Sequence, residues 1–285
     1  MKHTKTITIL TVLTALLAAI ASATGIFYNQ RGSSYEFTSI HGKEVIIYGK
    51  GLYKHMSAEV APQGIAQDYI TLFVAVPLLF ISIFMVKKKS LKGRYLLAGT
   101  FGYILVTYLF YLTMAIYNAL FLVYIALAGL SFFSLFVIVR TFNSDEVPAL
   151  FKDRTPVKFA GGFLIFNAIS IGFLWLSIVV PPLLNGTIIP VQVEHYTTLI
   201  VQGYDLALLL PAGAICGKLL YQKKPLGYLW APIYFVFLSI LMIALTAKII
   251  AMHSLGYSVV PVIFIIPCFA IISIICTYLL LKNVR

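Results

Sequence analysis

Eight long apolar stretches dominate this sequence of 285 residues. A helix needs about 20 apolar residues to cross roughly 30 Å of hydrocarbon, where the backbone must satisfy its own hydrogen bonds. The stretches cover about residues 6–28, 68–86, 94–116, 119–140, 159–183, 199–220, 227–251 and 258–281. Charged residues make up only 11% of the chain and hydrophobic residues 61%, which excludes a soluble or a disordered protein. The sequence therefore predicts an all-α polytopic membrane protein with eight transmembrane helices.

The basic residues are distributed unevenly between the two sides that alternating helices define. Sixteen of the 21 fall on one side: Lys2, Lys5, Lys87, Lys88, Lys89, Lys92, Arg94, Arg140, Lys152, Arg154, Lys158, Lys218, Lys223, Lys224, Lys282 and Arg285. Only Arg31, Lys43, Lys50 and Lys54 fall on the other side, and Lys248 lies within a stretch. Because cytoplasmic loops are enriched in lysine and arginine, both termini are expected in the cytoplasm of a cell whose plasma membrane holds the protein. No basic stripe or recognition motif accompanies the net charge of +12, so a nucleic-acid partner is not expected.

The first stretch has two readings. Lys2 and Lys5 precede an apolar run that reaches Ala21-Ser22-Ala23, which has the A-x-A form of a signal-peptidase site. The run continues to Tyr28, however, and is long enough to span the membrane. We expect the segment to be retained as the first transmembrane helix.

The segment between the first two stretches, residues 29–67, is long enough to form structure of its own. Two β-prone runs, 35–38 and 45–48, flank a turn that contains His41-Gly42-Lys43. They predict a small extracytoplasmic β-hairpin cap, which must pack on the helix ends because an isolated hairpin is marginally stable. Such a cap serves either as a structural lid or as a gate or docking surface.

A shift of 134 positions superimposes parts of the two halves. Pro77 falls on Pro211, Lys89 on Lys223 and Gly93 on Gly227. Both basic turns lie on the same side, so the pattern predicts a parallel 4+4 internal repeat. The first four-helix half is then 1–140 with the cap, the cytoplasmic linker is 141–158, and the second half is 159–285.

Three charged side chains fall within or at the ends of the apolar stretches, where charge is costly unless it is paired or faces water. They are Asp68, Asp205 and Lys248, all in the extracytoplasmic half. The repeat aligns Asp205 with Thr71 and Asp68 with Gln202. Asp205 and Lys248 are expected to form an ion pair, which is either a structural tie or part of an ion-coupled or proton-relay site.

Polar side chains also recur at spacings of three and four along the third stretch, which places them on one helix face. They are Thr100, Tyr103, Thr107, Tyr111, Met114 and Asn118. This face either lines a polar interior or supplies hydrogen bonds between helices. We count Tyr103, Tyr111 and Asn118 among the candidate ligand- or ion-binding residues, together with Asp68, Asp205, Lys248, Gln202 and Thr71.

The histidines give only a weak indication of a metal site. His195 and His253 fall outside the membrane or at its rim, without an H-x-x-x-H or H-E-x-x-H spacing. No metal, cofactor or catalytic residue is assigned from the sequence.

Several segments resemble uncharacterised multi-pass membrane proteins of bacteria. They are residues 66–79, 90–99, 117–124, 204–206 and 224–228. The resemblance extends over most of the chain and implies a bacterial plasma-membrane protein. It implies no activity.

Three classes of function fit these patterns. The leading one is transport or binding of a small solute or ion at an outward-facing polar site. A second is a membrane enzyme that acts at the outer leaflet, assisted by a metal at His195 and His253. A third is an accessory, sensory or immunity protein that docks a protein partner through the cap. The patterns are also compatible with an oligomer. No nucleophile elbow, P-loop or dinucleotide motif is present, which favours a protein that is not an enzyme.

Overall fold

A computed structural model describes residues 4–114 and 117–285, and in this part of the chain eight helices are long and apolar enough to cross a membrane. They are α1 (Thr4–Phe27), α2 (Ala61–Lys87), α3 (Leu91–Thr113), α4 (Phe121–Val139), α5 (Val157–Leu184), α6 (Ile200–Tyr221), α7 (Pro225–Ser254) and α8 (Val262–Lys282). The eight predicted helices are thus confirmed, and the protein is a mostly helical multi-pass membrane protein in contact with the lipid bilayer. Lys2 and residues 115–116, at the end of the third predicted stretch, lie outside the described residues.

The second helix begins about two turns earlier than its apolar stretch. It starts at Ala61, with Pro62 in its first turn, where the missing N–H of proline costs no helical hydrogen bond. Gln63, Gly64 and Gln67 are helical but not apolar, so hydropathy alone does not include them. This extension places Asp68 inside the helix rather than at its first residue.

The predicted hairpin is confirmed. Strands β1 (Tyr35–Thr38) and β2 (Glu44–Ile47) pair antiparallel with Tyr35 opposite Ile47, and Gly42 adopts φ +72° in the turn. The segment that follows carries Leu52, Tyr53 and Met56, which are buried against Tyr111 and other residues at the ends of α3 and α4. We call residues 28–60 the cap and the end of the helix bundle beneath them the cap end; the opposite end, at residues 87–91 and 221–225, is the basic end.

The centre of the bundle is the contact between α3 and α7. Helix α7 packs against α2, α3, α6 and α8, whereas α1 packs against α2 and α4, and α5 packs against α6. A Cβ atom at Gly99 of α3 would lie 2.6 Å from the Ile233 carbonyl oxygen of α7. The absence of a side chain at Gly99 therefore lets these two helices approach closely, which holds α7 between α2 and α6.

The two halves share a local irregularity. Helix α2 contains a π turn at Thr71–Ala75 and α6 contains one at Asp205–Leu209, again 134 residues apart. Each lies just before a proline, Pro77 or Pro211, which has no N–H to bond the carbonyl four residues back. Lys89 and Lys223 also share a left-handed backbone conformation. These features fit the register of the parallel repeat, which stays a prediction.

The linker is tied to the end of α8. Phe151 and Val284 form an isolated β-bridge, Lys152 N–H donates to the Asn283 carbonyl at 3.0 Å, and Arg285 N–H donates to the Leu150 carbonyl at 2.8 Å. A short 3₁₀ helix, Val147–Leu150, precedes this contact. The linker is consequently a folded element at the basic end.

Candidate functional site

Asp68 lies about two turns from the cap end of α2 and is only 1% exposed. Its carboxylate accepts hydrogen bonds from the Tyr53 hydroxyl of the cap and, at 3.2 Å, from the Tyr111 hydroxyl of α3. Gly25 of α1 covers it from a third direction, because a Cβ atom at Gly25 would overlap the carboxylate. The cap and three helices thus enclose Asp68.

The residues beside Asp68 bind α2 to α3. Gln67 Nε2 donates to the Tyr103 hydroxyl at 2.8 Å and to Thr107 Oγ1 at 3.0 Å. Thr71 Oγ1 lies 3.1 Å from the same Tyr103 hydroxyl and donates to the Gln67 carbonyl at 3.0 Å. All four residues are buried. The polar face of α3 therefore supplies hydrogen bonds between helices, and it does so next to Asp68.

The remaining members of that face have other partners. Thr100 Oγ1 donates within its own helix to the Leu96 carbonyl at 2.7 Å. Asn118 lies beyond the end of α3, where its Oδ1 accepts the Leu120 N–H at 2.9 Å and its Nδ2 lies 3.4 Å from the Tyr124 hydroxyl. Asn118 thus stabilises the turn before α4. Met114 packs with it around a narrow cavity that Tyr53 and Tyr111 also line.

A cluster of four tyrosines surrounds the approach to Asp68 from the cap end. The rings of Tyr53, Tyr108, Tyr111 and Tyr124 pack with centroids 5.3–6.1 Å apart. Burial, and then the neighbouring Asp68 carboxylate, raise the pKa of Tyr53 well above its usual value. Tyr53 therefore keeps its proton and acts as a hydrogen-bond donor to Asp68.

Asp205 is the first residue of the π turn in α6 and is partly exposed. Its carboxylate accepts a hydrogen bond of 2.7 Å from Trp175 Nε1 of α5. Gln202, its predicted companion three residues earlier, is also partly exposed. The Asp205 carboxylate is thus held by a single neutral donor, among residues that are less buried than those around Asp68.

Lys248 lies on α7, a helix that packs against both α2, which carries Asp68, and α6, which carries Asp205. No lysine or arginine nitrogen within 4–114 and 117–285 lies within the 4.0 Å of a carboxylate oxygen that defines a salt bridge. The expected ion pair between Asp205 and Lys248 is therefore not a direct contact here. Because one helix, α7, connects the helices of the two carboxylates, we group Lys248 with Asp68 and Asp205 and call the three residues the charge trio.

The cap is joined to the loop before α6 by a contact that we call the clasp: His55 and Ser57 of the cap with Glu194, His195 and Tyr196 of the loop. His195 Nε2 donates to the His55 carbonyl at 2.9 Å, and the Ser57 N–H donates to the Tyr196 hydroxyl at 3.3 Å. Glu194 adopts φ +51°, a strained conformation for a residue with a side chain. The loop is therefore held in place against the cap.

Histidine is the group in the clasp that titrates near neutral pH. Because Nε2 donates to a carbonyl, neutral His195 has an unprotonated Nδ1, which is buried without a partner among the described residues. Burial lowers the pKa of His195 below its usual 6.5, the hydrogen bond to His55 opposing it. Burial raises the pKa of Glu194. Through Glu194, a fall in pH would therefore stabilise the clasp, whereas through His195 it weakens the clasp.

We expect the clasp to weaken as the pH falls below 6.5, because the open form then binds a proton that the closed form resists. Hydrogen exchange of the β2 peptide at about pH 7.5 and about pH 5.5, each expressed relative to the intrinsic exchange rate at that pH, measures this. The acid-induced gain in exchange should be smaller in His195→Gln, in which Glu194 is retained, than in the wild type. An equal gain in both proteins would assign the acid effect to another group.

The histidines do not assemble a metal site in the described part of the chain. No three His, Cys, Asp or Glu side chains in 4–114 and 117–285 lie close enough together to hold a metal ion. His253 is exposed at the end of α7, and His195 is engaged in the clasp.

The structure adds residues that the sequence did not single out. Tyr53, Gly25 and Trp175 contact the two carboxylates from the cap, α1 and α5. Nothing in their spacing relates them to Asp68 or Asp205, because these contacts join distant segments. Gln67 could have been recognised from the sequence, because it is an amide next to Asp68, but it lies one residue before the predicted helix.

Comparison with known proteins adds no function to this arrangement. No protein-family model, no curated protein and no solved structure matches the chain. What the site does must accordingly be argued from its own residues.

Proposed function

We propose that this membrane protein binds and transports a proton, a small monovalent cation or a small solute that carries one positive charge. The charge trio is the binding site, and the observation that supports the proposal is a lysine on a helix that packs against both helices with a buried or partly buried aspartate. The cap end faces the outside of a plasma membrane, in agreement with the excess of basic residues at the other end.

The charge balance of the trio favours a cation. Two carboxylates and one ammonium leave a net charge of −1 when all three are ionised. A charged side chain at membrane depth costs about 2.5–3.5 kcal/mol or more, depending on its surroundings. One proton or one monovalent cation neutralises the trio, whereas an anionic solute would raise its charge to −2. The site is thus suited to one positive charge at a time.

The two helices that carry the carboxylates are also suited to movement. Each has a π turn next to its aspartate, Thr71–Ala75 in α2 and Asp205–Leu209 in α6. Interrupted helices of this kind occur frequently at functional sites, because the altered hydrogen bonding permits local rearrangement. Asp68 and Asp205 therefore carry the binding charge beside stretches of backbone that can rearrange locally.

We expect Asp68→Asn to reduce proton or sodium flux by about tenfold or more, because the amide removes one of the two negative charges that attract the cation. The purified protein is reconstituted into liposomes that contain a pH-sensitive dye, and a potassium diffusion potential drives the flux. Radioactive sodium uptake is measured in parallel.

Asp145→Asn is the matched control, since Asp145 is an exposed aspartate in the linker. It should retain the wild-type flux of the same ion. A wild-type protein that moves neither protons nor sodium above the level of empty liposomes would refute transport of these ions, and an Asp68→Asn variant with full flux would remove Asp68 from the site.

A further inference from the structure

We propose that a cavity between α1 and the cap is the entrance to the site and that Tyr53 is its gate. This inference deepens the proposed function, because it names the route by which a cation or proton reaches Asp68. Its test nevertheless measures access to Asp68 and not transport.

The cavity has a volume of about 340 Å³. It is lined by Gly25 and Tyr28 of the α1 end, by Lys50, Leu52 and Tyr53 of the cap, and by Ile65 of α2. Tyr28 and Lys50 are exposed, so the cavity opens at the surface of the cap end. A volume of only about 10–15 Å³ suffices for one water molecule, so this space admits several waters or a small solute.

Asp68 lies directly behind the floor of this cavity. Two of the lining residues touch it: Tyr53 donates its hydroxyl hydrogen to the carboxylate, and a Cβ atom at Gly25 would overlap the same carboxylate. Tyr53 is 3% exposed and Asp68 is 1% exposed. Residues that line the cavity on one face thus contact the buried Asp68 carboxylate on the other.

Tyr53 is suited to act as the movable part of that layer. It belongs to the cap and not to a transmembrane helix, and one side-chain hydrogen bond ties its hydroxyl to Asp68. Gly49 and Gly51, just before it, both have positive φ angles, and their N–H groups donate to the carbonyls of Lys54 and Gln30, so the backbone of this turn is held while the Tyr53 side chain can rotate. Rotation of Tyr53 away from Asp68 would open the floor without any movement of a helix.

The test is chemical modification of Asp68 from the aqueous side. The detergent-purified full-length protein is treated with a water-soluble carbodiimide and glycine ethyl ester, and the amide formed at each aspartate is quantified by peptide mass spectrometry. In the wild type, Asp68 should react slowly relative to the exposed Asp145. We expect Tyr53→Phe to raise the Asp68 rate about fivefold or more, because it removes the hydroxyl that covers the carboxylate.

A second substitution shows whether the reagent arrives through the cavity. Ile65→Trp adds volume to its wall, and in the Tyr53→Phe background it should return the Asp68 rate toward the wild-type value. Phe80→Trp, on the exposed surface of the same helix, is the matched control and should leave the raised rate unchanged. If Ile65→Trp does not fold, Ile65→Cys, alkylated after purification, fills the same space.

The outcomes separate the two proposals. An Asp68 rate that Tyr53→Phe does not raise, or that Ile65→Trp lowers no more than Phe80→Trp, overturns the entrance. The expected rates together with liposomes that show no flux would support the entrance and refute transport of the ions tested.

Discussion

Lys248→Met is expected to lower both the thermal stability of the protein and its ion flux more than the other substitution at the charge trio, Asp68→Asn. Methionine has a similar length and no charge. The charge trio would lose its positive charge and keep the two negative charges of Asp68 and Asp205. The site would carry −2 instead of −1, which disfavours the folded protein by about 2.5–3.5 kcal/mol per uncompensated charge at membrane depth. Flux would fall for a different reason than in Asp68→Asn, because a site of charge −2 retains a bound cation instead of releasing it. Thermal unfolding in detergent and flux into liposomes measure the two effects.

A double variant separates the effect of net charge from the effect of removing Lys248. Lys248→Met combined with Asp205→Asn returns the net charge to −1, and we expect this double variant to regain most of the lost stability. Lys218→Met removes an exposed lysine near the basic end of α6 and should change neither quantity. A Lys248→Met protein as stable and as active as the wild type would show that the trio is not a functional unit.

Gly25→Ala is expected to be the most damaging small substitution near the site. The added methyl group would overlap the Asp68 carboxylate and lie 2.9 Å from the Tyr53 hydroxyl. Overpacking of this kind costs about 1–3 kcal/mol of unfolding free energy, and here it would also separate Tyr53 from Asp68. Thermal unfolding and the carbodiimide reactivity of Asp68 should both change.

Gly129→Ala is the matched control for this effect. Gly129 also lies within a transmembrane helix, but a Cβ atom there has no neighbour within 4 Å. The substitution should be neutral or stabilise the helix by up to about 1 kcal/mol. An equal loss of thermal stability in Gly25→Ala and Gly129→Ala would mean that the effect at Gly25 does not come from overlap with Asp68.

The sequence predicts the parts of this fold that depend on local patterns. Long apolar stretches identify the eight helices because a bilayer requires each helix to be apolar over most of its length. The β-prone runs identify the hairpin because side-chain preference there is local, although the second strand begins and ends one residue earlier than its run. The start of α2 is not predicted, since its first two turns are polar enough to resemble a loop.

The site is only partly predictable for a related reason. Asp68, Asp205 and Lys248 stand out because charge is rare in apolar helices. Their partners Tyr53 and Trp175 do not stand out, because neither side chain is charged and the contacts join distant parts of the chain. The grouping of Lys248 with both carboxylates depends on the packing of α7 against α2 and α6, which only the three-dimensional structure shows.

The contacts at the basic end have a mechanical consequence. There Tyr95 of the first half donates a hydrogen bond of 3.0 Å to the Tyr228 carbonyl of the second half, and the Phe151 ring of the linker packs against both tyrosines. The linker is in turn fastened to the end of α8. The two predicted halves are therefore fastened to each other at the basic end as well as at the clasp. A rotation of one predicted half against the other would have to break the clasp at one end of the bundle or the linker contacts at the other.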